Sequence, residues 1–275
     1  MTTKKKSIRF AAVFFAAAIL FAGCKKDEKP AESAATPPPA GAPAPADDPA
    51  LAMKAQPKAA EPDTTMAMKA KPPASAKTGA AAAHDYVKEL TSPSKLTEKA
   101  PDTYKVKFDT TRGTFALTVT RAWAPLEADR FYNLVKHRFY DGAAFFRVVP
   151  GFVVQFGISA NPAVTSAWNN VKMKDDPVVQ SNKRGTITFA QTGAPNSRGT
   201  QVFINLKDNA RLDHSGQGFA PFGIVDGDGM NVVEMMYEGY GDNGPDQDQI
   251  EKLGTPYLQK GFPKLDYIKS ATLVQ

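Results

Sequence analysis

Two polar side chains interrupt a stretch of sequence that has no ordinary place for them. Phe145-Phe146-Arg147-Val148-Val149 and Phe152-Val153-Val154-Gln155-Phe156 are β-rich runs on either side of a Pro150-Gly151 turn. Both faces of each run are apolar, which reads as core strand. A guanidinium buried there is costly unless it is paired, and neither run holds an acid that could pair with Arg147. Two readings stand side by side: a structural salt bridge to a distant carboxylate, or a functional arginine on the rim of an apolar pocket. An arginine in the second role presents five donors on a rigid fork and keeps its charge. Its chemistry would be hydrogen bonding and electrostatics, with no proton transfer.

Other chemistries find less support. The histidines are His84, His137 and His214, too few and too scattered for a nucleophile, a base and an orienter. Asp213-His214-Ser215 has suitable residue types, but consecutive side chains point in different directions. There is no H-E-x-x-H and no cluster of spare ligands, and the acids of 239–260 lack the glycine and glutamate of an EF-hand. No metal and no cofactor are expected. Cys24 is the single cysteine, so no internal disulfide and no C-x-x-C site can form.

The elements that would position Arg147 follow from periodicity. Tyr104 to Phe108 alternates apolar and polar, Thr110 to Gly113 turns, and Thr114 to Val119 returns as the second strand of a hairpin. Pro125 opens a helix on which Ala128, Phe131, Leu134 and Val135 recur at helical spacing, and Tyr140-Asp141-Gly142 ends it. Strands are expected at Thr186 to Ala190, Gln201 to Asn205, Phe222 to Val225 and Ile268 to Val274, with a second helix over Met230 to Tyr237. Gly239 to Lys260 reads as a long loop. The pattern predicts a mainly β domain: a closed eight-stranded β-barrel capped by two helices. A barrel of this size is filled by its own side chains, so a ligand would bind outside it.

Ahead of this domain the composition changes. Lys4, Lys5, Lys6 and Arg9 precede an uncharged apolar stretch from Phe10 to Ala22, too short to cross a bilayer but suited to a signal peptide. From Lys25 to about Ala100 the chain is rich in Ala, Pro and Lys, which cannot bury enough apolar surface to order itself. Proline-rich segments of this kind act as extended spacers. A short helix around His84 to Leu90 is possible. The expected organisation is therefore a signal peptide at 1–23, a disordered tether at 24–100 and a folded domain at 101–275. Without the four leader cations the chain carries 30 basic against 28 acidic residues, too even a balance for a nucleic-acid binder.

Two resemblances sharpen this picture. Leu20-Phe21-Ala22-Gly23-Cys24 resembles a bacterial lipobox, although Phe21 departs from the usual leucine. The resemblance implies cleavage before Cys24, acylation of that residue and anchoring in the cell envelope on the periplasmic side. Lys25 gives a lean towards the outer membrane. Phe145-Phe146-Arg147-Val148-Val149-Pro150-Gly151-Phe152-Val153-Val154-Gln155 resembles the cyclophilin signature. Phe189 to Ile204, reading FAQTGAPNSRGTQVFI, resembles the family's second motif. Arg211-Leu212-Asp213 with Phe222-Gly223 and Gly229-Met230 resembles its third, and the similarity runs from Tyr104 onward.

Cyclophilins are peptidyl-prolyl cis–trans isomerases, so the resemblance implies rotation about X-Pro bonds in unfolded or loop segments of envelope proteins. It makes Arg147, Phe152, Gln155 and Phe203 catalytic. It places Val153, Ala190, Gln191, Gln201, Leu212 and Phe219 around the substrate. Gln191 stands where the family often has asparagine, Phe219 where it has a pocket histidine, and Arg211 where many members have a tryptophan that favours cyclosporin. Weak cyclosporin binding and a monomeric chain are expected. The alternative is an anchored module that grips proline segments without turning them over.

Overall fold

The computed structural model describes residues 85–274. The leader, Cys24, His84 and the tether up to residue 84 lie outside the described residues.

Eight antiparallel strands form one curled sheet in the order β3-β4-β6-β5-β7-β2-β1-β8. They are β1 (Thr103–Thr110), β2 (Gly113–Thr120), β3 (Arg147–Val149), β4 (Val153–Phe156), β5 (Thr186–Phe189), β6 (Val202–Asn205), β7 (Gly223–Val225) and β8 (Ile268–Val274). β1 and β2 form the expected hairpin, with Thr110 opposite Gly113. The edges β3 and β8 share no strand ladder. The chain entering β3 stitches the seam instead: Gly142 donates to the Ile268 carbonyl at 2.8 Å, Ile268 to Ala143 at 2.9 Å and Phe145 to Asp266 at 2.9 Å.

An aromatic core fills the barrel. Phe108 stacks on Phe115 with centroids 4.9 Å apart, and Phe131, Phe156 and Phe222 pack around them. Phe131 arrives from α2 (Pro125–Lys136), whose Ala128, Phe131, Leu134 and Val135 form the buried stripe expected from their spacing. This helix stops earlier than the sequence suggested. Arg138 turns into the left-handed region with φ 63°, which swings Phe139 and Tyr140 into the core.

More helix is present than the two caps expected. α1 (Tyr86–Leu90), α3 (Pro162–Trp168), α4 (Gly229–Val233), α5 (Gln247–Leu253) and α6 (Thr255–Gly261) accompany α2. Asp85 caps α1 through Lys88 N–H, and start signals were present for two more. Asn161 accepts a capping bond from Ala163 N–H, with Pro162 at the first helical position, and Asp246 caps α5 through Gln249 N–H. Residues 239–260 thus hold two short helices and a 3₁₀ turn at Gly241–Asn243, a correction to the long-loop reading. Packing also begins before residue 101. Trp168 Nε1 donates to the Leu90 carbonyl at 2.8 Å, and the Asn133 side chain bonds both Glu98 N–H and Glu98 C=O.

Candidate functional site

The antiparallel ladder explains why β3 and β4 are apolar on both faces. Directly paired residues share a face of the sheet. Arg147 pairs with Gln155, and Gln155 with Phe203 on β6. Alternation sends Val148, Val154 and Ile204 inward to the barrel core. Arg147, Gln155, Val153 and Phe203 therefore lie on the outer face, where a second apolar cluster gathers. This cluster comprises Phe152, Val153, Ala190, Phe203, Leu212 and Phe219, with Val149 packed against it. Six residues expected at the site from three separate stretches of chain thus meet in one greasy patch. Phe219 sets its ring edge-on to Phe203 at 5.5 Å.

A polar edge runs beside this patch. Arg147 donates through Nη1 to Gln155 Oε1 at 3.1 Å, and Gln155 Nε2 donates to Gln201 Oε1 at 2.9 Å. The direction of the chain is forced, because a guanidinium can only donate. Its presence turns the Gln155 oxygen towards it and the Gln155 nitrogen towards Gln201. On its other side Arg147 donates through Nε to Asp242 Oδ1 at 2.6 Å, and Nη2 lies 2.6 Å from the same oxygen. The distant carboxylate of the first reading is Asp242. Arg147 sits 5.8 Å above the Phe152 ring while paired to Asp242, and Arg211 lies 5.4 Å from that ring. Gln191 is buried and donates through its side chain to the Gly218 carbonyl at 3.0 Å. With Ala190 and Gln201 it lines a cavity of about 210 Å³ beside the apolar cluster.

Several supporting residues escaped sequence reasoning. Asn182, Asn205 and Asn209 are all buried and lace the walls together. Asn209 Nδ2 donates to Phe152 C=O and to Asn205 Oδ1, Asn205 Nδ2 to Asn182 Oδ1, and Asn182 Nδ2 to Phe219 C=O and Asp213 Oδ1. Burial works against the Asp213 charge, yet bonds from Ser181 and Asn182 hold its carboxyl below the usual range. Arg198, fully buried, donates through Nη2 to Gly218 C=O at 2.5 Å and pairs with Asp175 and with Glu127 of α2. Gly218 has φ +72°, and a Cβ there would lie 2.7 Å from the Asp213 carbonyl oxygen. That close approach lets Phe219 N–H reach Leu212 C=O at 2.9 Å and shut the pocket wall. Buried asparagines surrounded by polar loops carry no mark in a single sequence. The need of Arg147 for an acid was legible; the identity of the acid was not. Cys24 lies outside the described residues.

What the patch can do follows from its make-up. It offers a cluster of apolar side chains, backbone and amide groups alongside, and two permanently charged guanidiniums, Arg147 and Arg211, over the Phe152 ring. No member of this set is a nucleophile or a base. Such a site can desolvate and hydrogen-bond a peptide, and it can favour one geometry of that peptide over another.

Comparison with known proteins identifies the family. The family model described as cyclophilin type peptidyl-prolyl cis-trans isomerase/CLD matches residues 105–255. Peptidyl-prolyl cis-trans isomerase A of Dickeya dadantii is 37% identical over 173 residues, covering 62% of this chain and 84% of that protein. Peptidyl-prolyl cis-trans isomerase B of Escherichia coli is 32% identical over 145 residues, covering 48% of this chain and 82% of its own length. A solved cyclophilin type peptidyl-prolyl cis-trans isomerase of Cryptosporidium parvum aligns with a TM-score of 0.45 at 18% identity, over 63% of this chain and 98% of that one. Three motifs, an eight-stranded curled sheet and a family match across most of the domain lead to one conclusion: the chain belongs to the cyclophilin-type peptidyl-prolyl cis–trans isomerases.

Proposed function

We propose that the chain isomerises X-Pro bonds in envelope proteins through desolvation and a hydrogen bond from Arg147 to the twisted prolyl nitrogen. Rotation breaks amide resonance behind a barrier of about 18–20 kcal/mol. At the top of that barrier the nitrogen regains a lone pair. A donor beside the nitrogen is then useful only in the transition state, which is the condition for catalysis. The planar amide is also more dipolar than the twisted one and loses more on leaving water. A gain of ~10⁵ in rate requires about 7 kcal/mol, divided between these two effects. The observation that carries the reading is the placement of Arg147 on the outer row of the sheet, above Phe152 and beside the apolar cluster. Phe152, Val153, Phe203 and Leu212 would wall the proline ring, the Gln191 backbone would hold the preceding residue, and Gln201 would line the neighbouring recess. Isomerisation of a proline peptide by the full chain, compared with Arg147→Ala, tests it. A loss of roughly a hundredfold or more in kcat/KM is expected, in the range of a lost transition-state donor. Equal rates would reduce the arginine to a structural role.

We propose further that Cys24 carries lipid and holds the domain at the envelope on a spacer, leaning towards the outer membrane. The support is the basic leader, the apolar stretch and the small residues before the single cysteine. Several acyl chains on one residue give stable anchoring, at about 0.8 kcal/mol per buried CH₂. Radioactive palmitate should label the chain in bacterial cells and fail to label Cys24→Ser. Equal labelling of both would end the proposal. With Arg211 in place of tryptophan, cyclosporin should bind weakly.

A further inference from the structure

We infer that Asp242 is a positioning residue for the isomerase reaction, holding the Arg147 guanidinium in the one orientation that keeps donors for the substrate; the inference rests on the Arg147 mechanism proposed above. Gln155 alone cannot do this. It faces Arg147 across the ladder and takes a single N–H through Nη1, so the head could still rotate about that contact. Asp242 Oδ1 closes the opposite edge, 2.6 Å from both Nε and Nη2. Two anchors on different edges fix the plane of a rigid fork, and charge-assisted bonds of this kind are the stronger class. The count of donors is what makes the arrangement useful. Among the described residues, the N–H on Nε, one on Nη2 and one on Nη1 are engaged, which leaves two of the five for a substrate nitrogen and carbonyl.

The carboxylate is itself held firmly. Asp242 lies in the 3₁₀ turn Gly241–Asn243, just after Tyr240. The Tyr240 ring packs edge-on against Tyr237 at 4.9 Å and Phe262 at 5.2 Å. On the far side of the turn, a Cβ on Gly244 would lie 2.9 Å from the Phe146 carbonyl oxygen. Only glycine lets this segment press so closely against the residue preceding Arg147. A carboxylate on a mobile loop would compete with substrate for the arginine; one fixed by aromatic packing and a tight backbone contact works as a support. The Asp242 side chain is 47% exposed while that of Arg147 is 8% exposed. The aspartate thus keeps water on one side, and its desolvation cost is limited.

The test is a double-mutant cycle on the full chain, read as kcat and KM for a proline peptide. Asp242→Ala should lower kcat roughly tenfold to a hundredfold, the penalty for misplacing a reacting group, with KM within about twofold. Asp242→Asn, whose amide oxygen can still accept from the same edge, should recover most of the loss. In an Arg147→Ala background, Asp242→Ala should change nothing further. Three results would overturn the inference: an unchanged kcat for Asp242→Ala, a kcat above wild type, or an equal fall in both backgrounds. An Arg147→Ala protein with wild-type activity would sink the underlying mechanism instead, so the two failures can be told apart.

Discussion

The arginine was recognisable in the sequence because it broke a rule. A guanidinium inside a run apolar on both faces needs an explanation, and the structure supplies it through the alternation of β3. Val148 feeds the barrel core while Arg147 and Val149 look outward to a second cluster. Gln155 stood out because it interrupts the second apolar run, its role came with the cyclophilin resemblance, and the ladder sets it opposite Arg147. Residue-level reasoning could not locate Asp242, which lies 95 residues away and contacts Arg147 only through the folded chain. The acids of 239–260 looked alike in sequence, and none bears a local signature of pairing. Arg198 was a different case. It was visible inside the stretch Asn196-Ser197-Arg198-Gly199, but nothing in that run showed that its side chain would be wholly buried. Its three partners, Glu127, Asp175 and the Gly218 carbonyl, come from separate parts of the chain.

At the scale of elements, that buried arginine ties α2 to the Gly218-Phe219 segment, and the junction has a measurable signature. Glu127 stands in the first turn of α2, wholly buried, and accepts from Phe189 N–H of β5 at 3.1 Å. Burial pushes its carboxyl up to about 8; attraction to Arg198 and the Phe189 bond oppose the rise without cancelling it, and Asp176 and Asp175 nearby add to it. One guanidinium serves several carboxylates, so the one cut off from water keeps its proton longest. Unfolded, the same carboxyl would titrate near 4.5. Between those values the folded chain binds more protons than the unfolded chain, so this group's contribution to stability is complete below about pH 4.5 and is lost as pH rises towards 8. Glu127→Gln cannot titrate. Scanning calorimetry from pH 5 to 8 should therefore show a steeper decline of Tm in wild type than in the variant. Parallel curves would mean that Glu127 is ionised throughout. The strands flanking this junction were legible because period-2 alternation survives in short runs. The helices α3, α5 and α6 were not, because each is about two turns long and shows too few apolar positions to establish a 3.6-residue period.

At the scale of the whole molecule, composition assigned the residues up to 100 to a spacer, yet among the described residues those from 85 onward pack against the domain. Residues 85–100 are rich in charge and poor in apolar pattern, so they read as spacer. They are nevertheless fastened to α2 and α3 by specific bonds. Leu90 is buried, with its carbonyl held by Trp168 Nε1, and Arg130 lies 5.0 Å from the Trp168 ring. Ala100 N–H reaches Asp129 Oδ1 at 2.8 Å, and Glu89 Oε2 lies 2.6 Å from His137 Nδ1. Asn133 is the most committed anchor, because its one buried amide serves both backbone groups of Glu98. This strap is where any pull along the proposed tether would first meet the barrel, and its residues are absent from the apolar cluster around Phe152 and Phe203. Asn133→Ala would remove both bonds to the Glu98 backbone, a cost of about 1–3 kcal/mol at about 0.5–1.5 kcal/mol per bond. For a domain of this size that corresponds to a Tm lower by roughly 3–10 °C. Isomerase kcat/KM measured well below the transition should stay at the wild-type value, because the change loosens the entry point and leaves the arginine, its aspartate and the apolar recess in place. A Tm unmoved by Asn133→Ala would show that the strap rests on the barrel without stabilising it. A fall in kcat/KM at low temperature would show instead that its anchoring reaches the site.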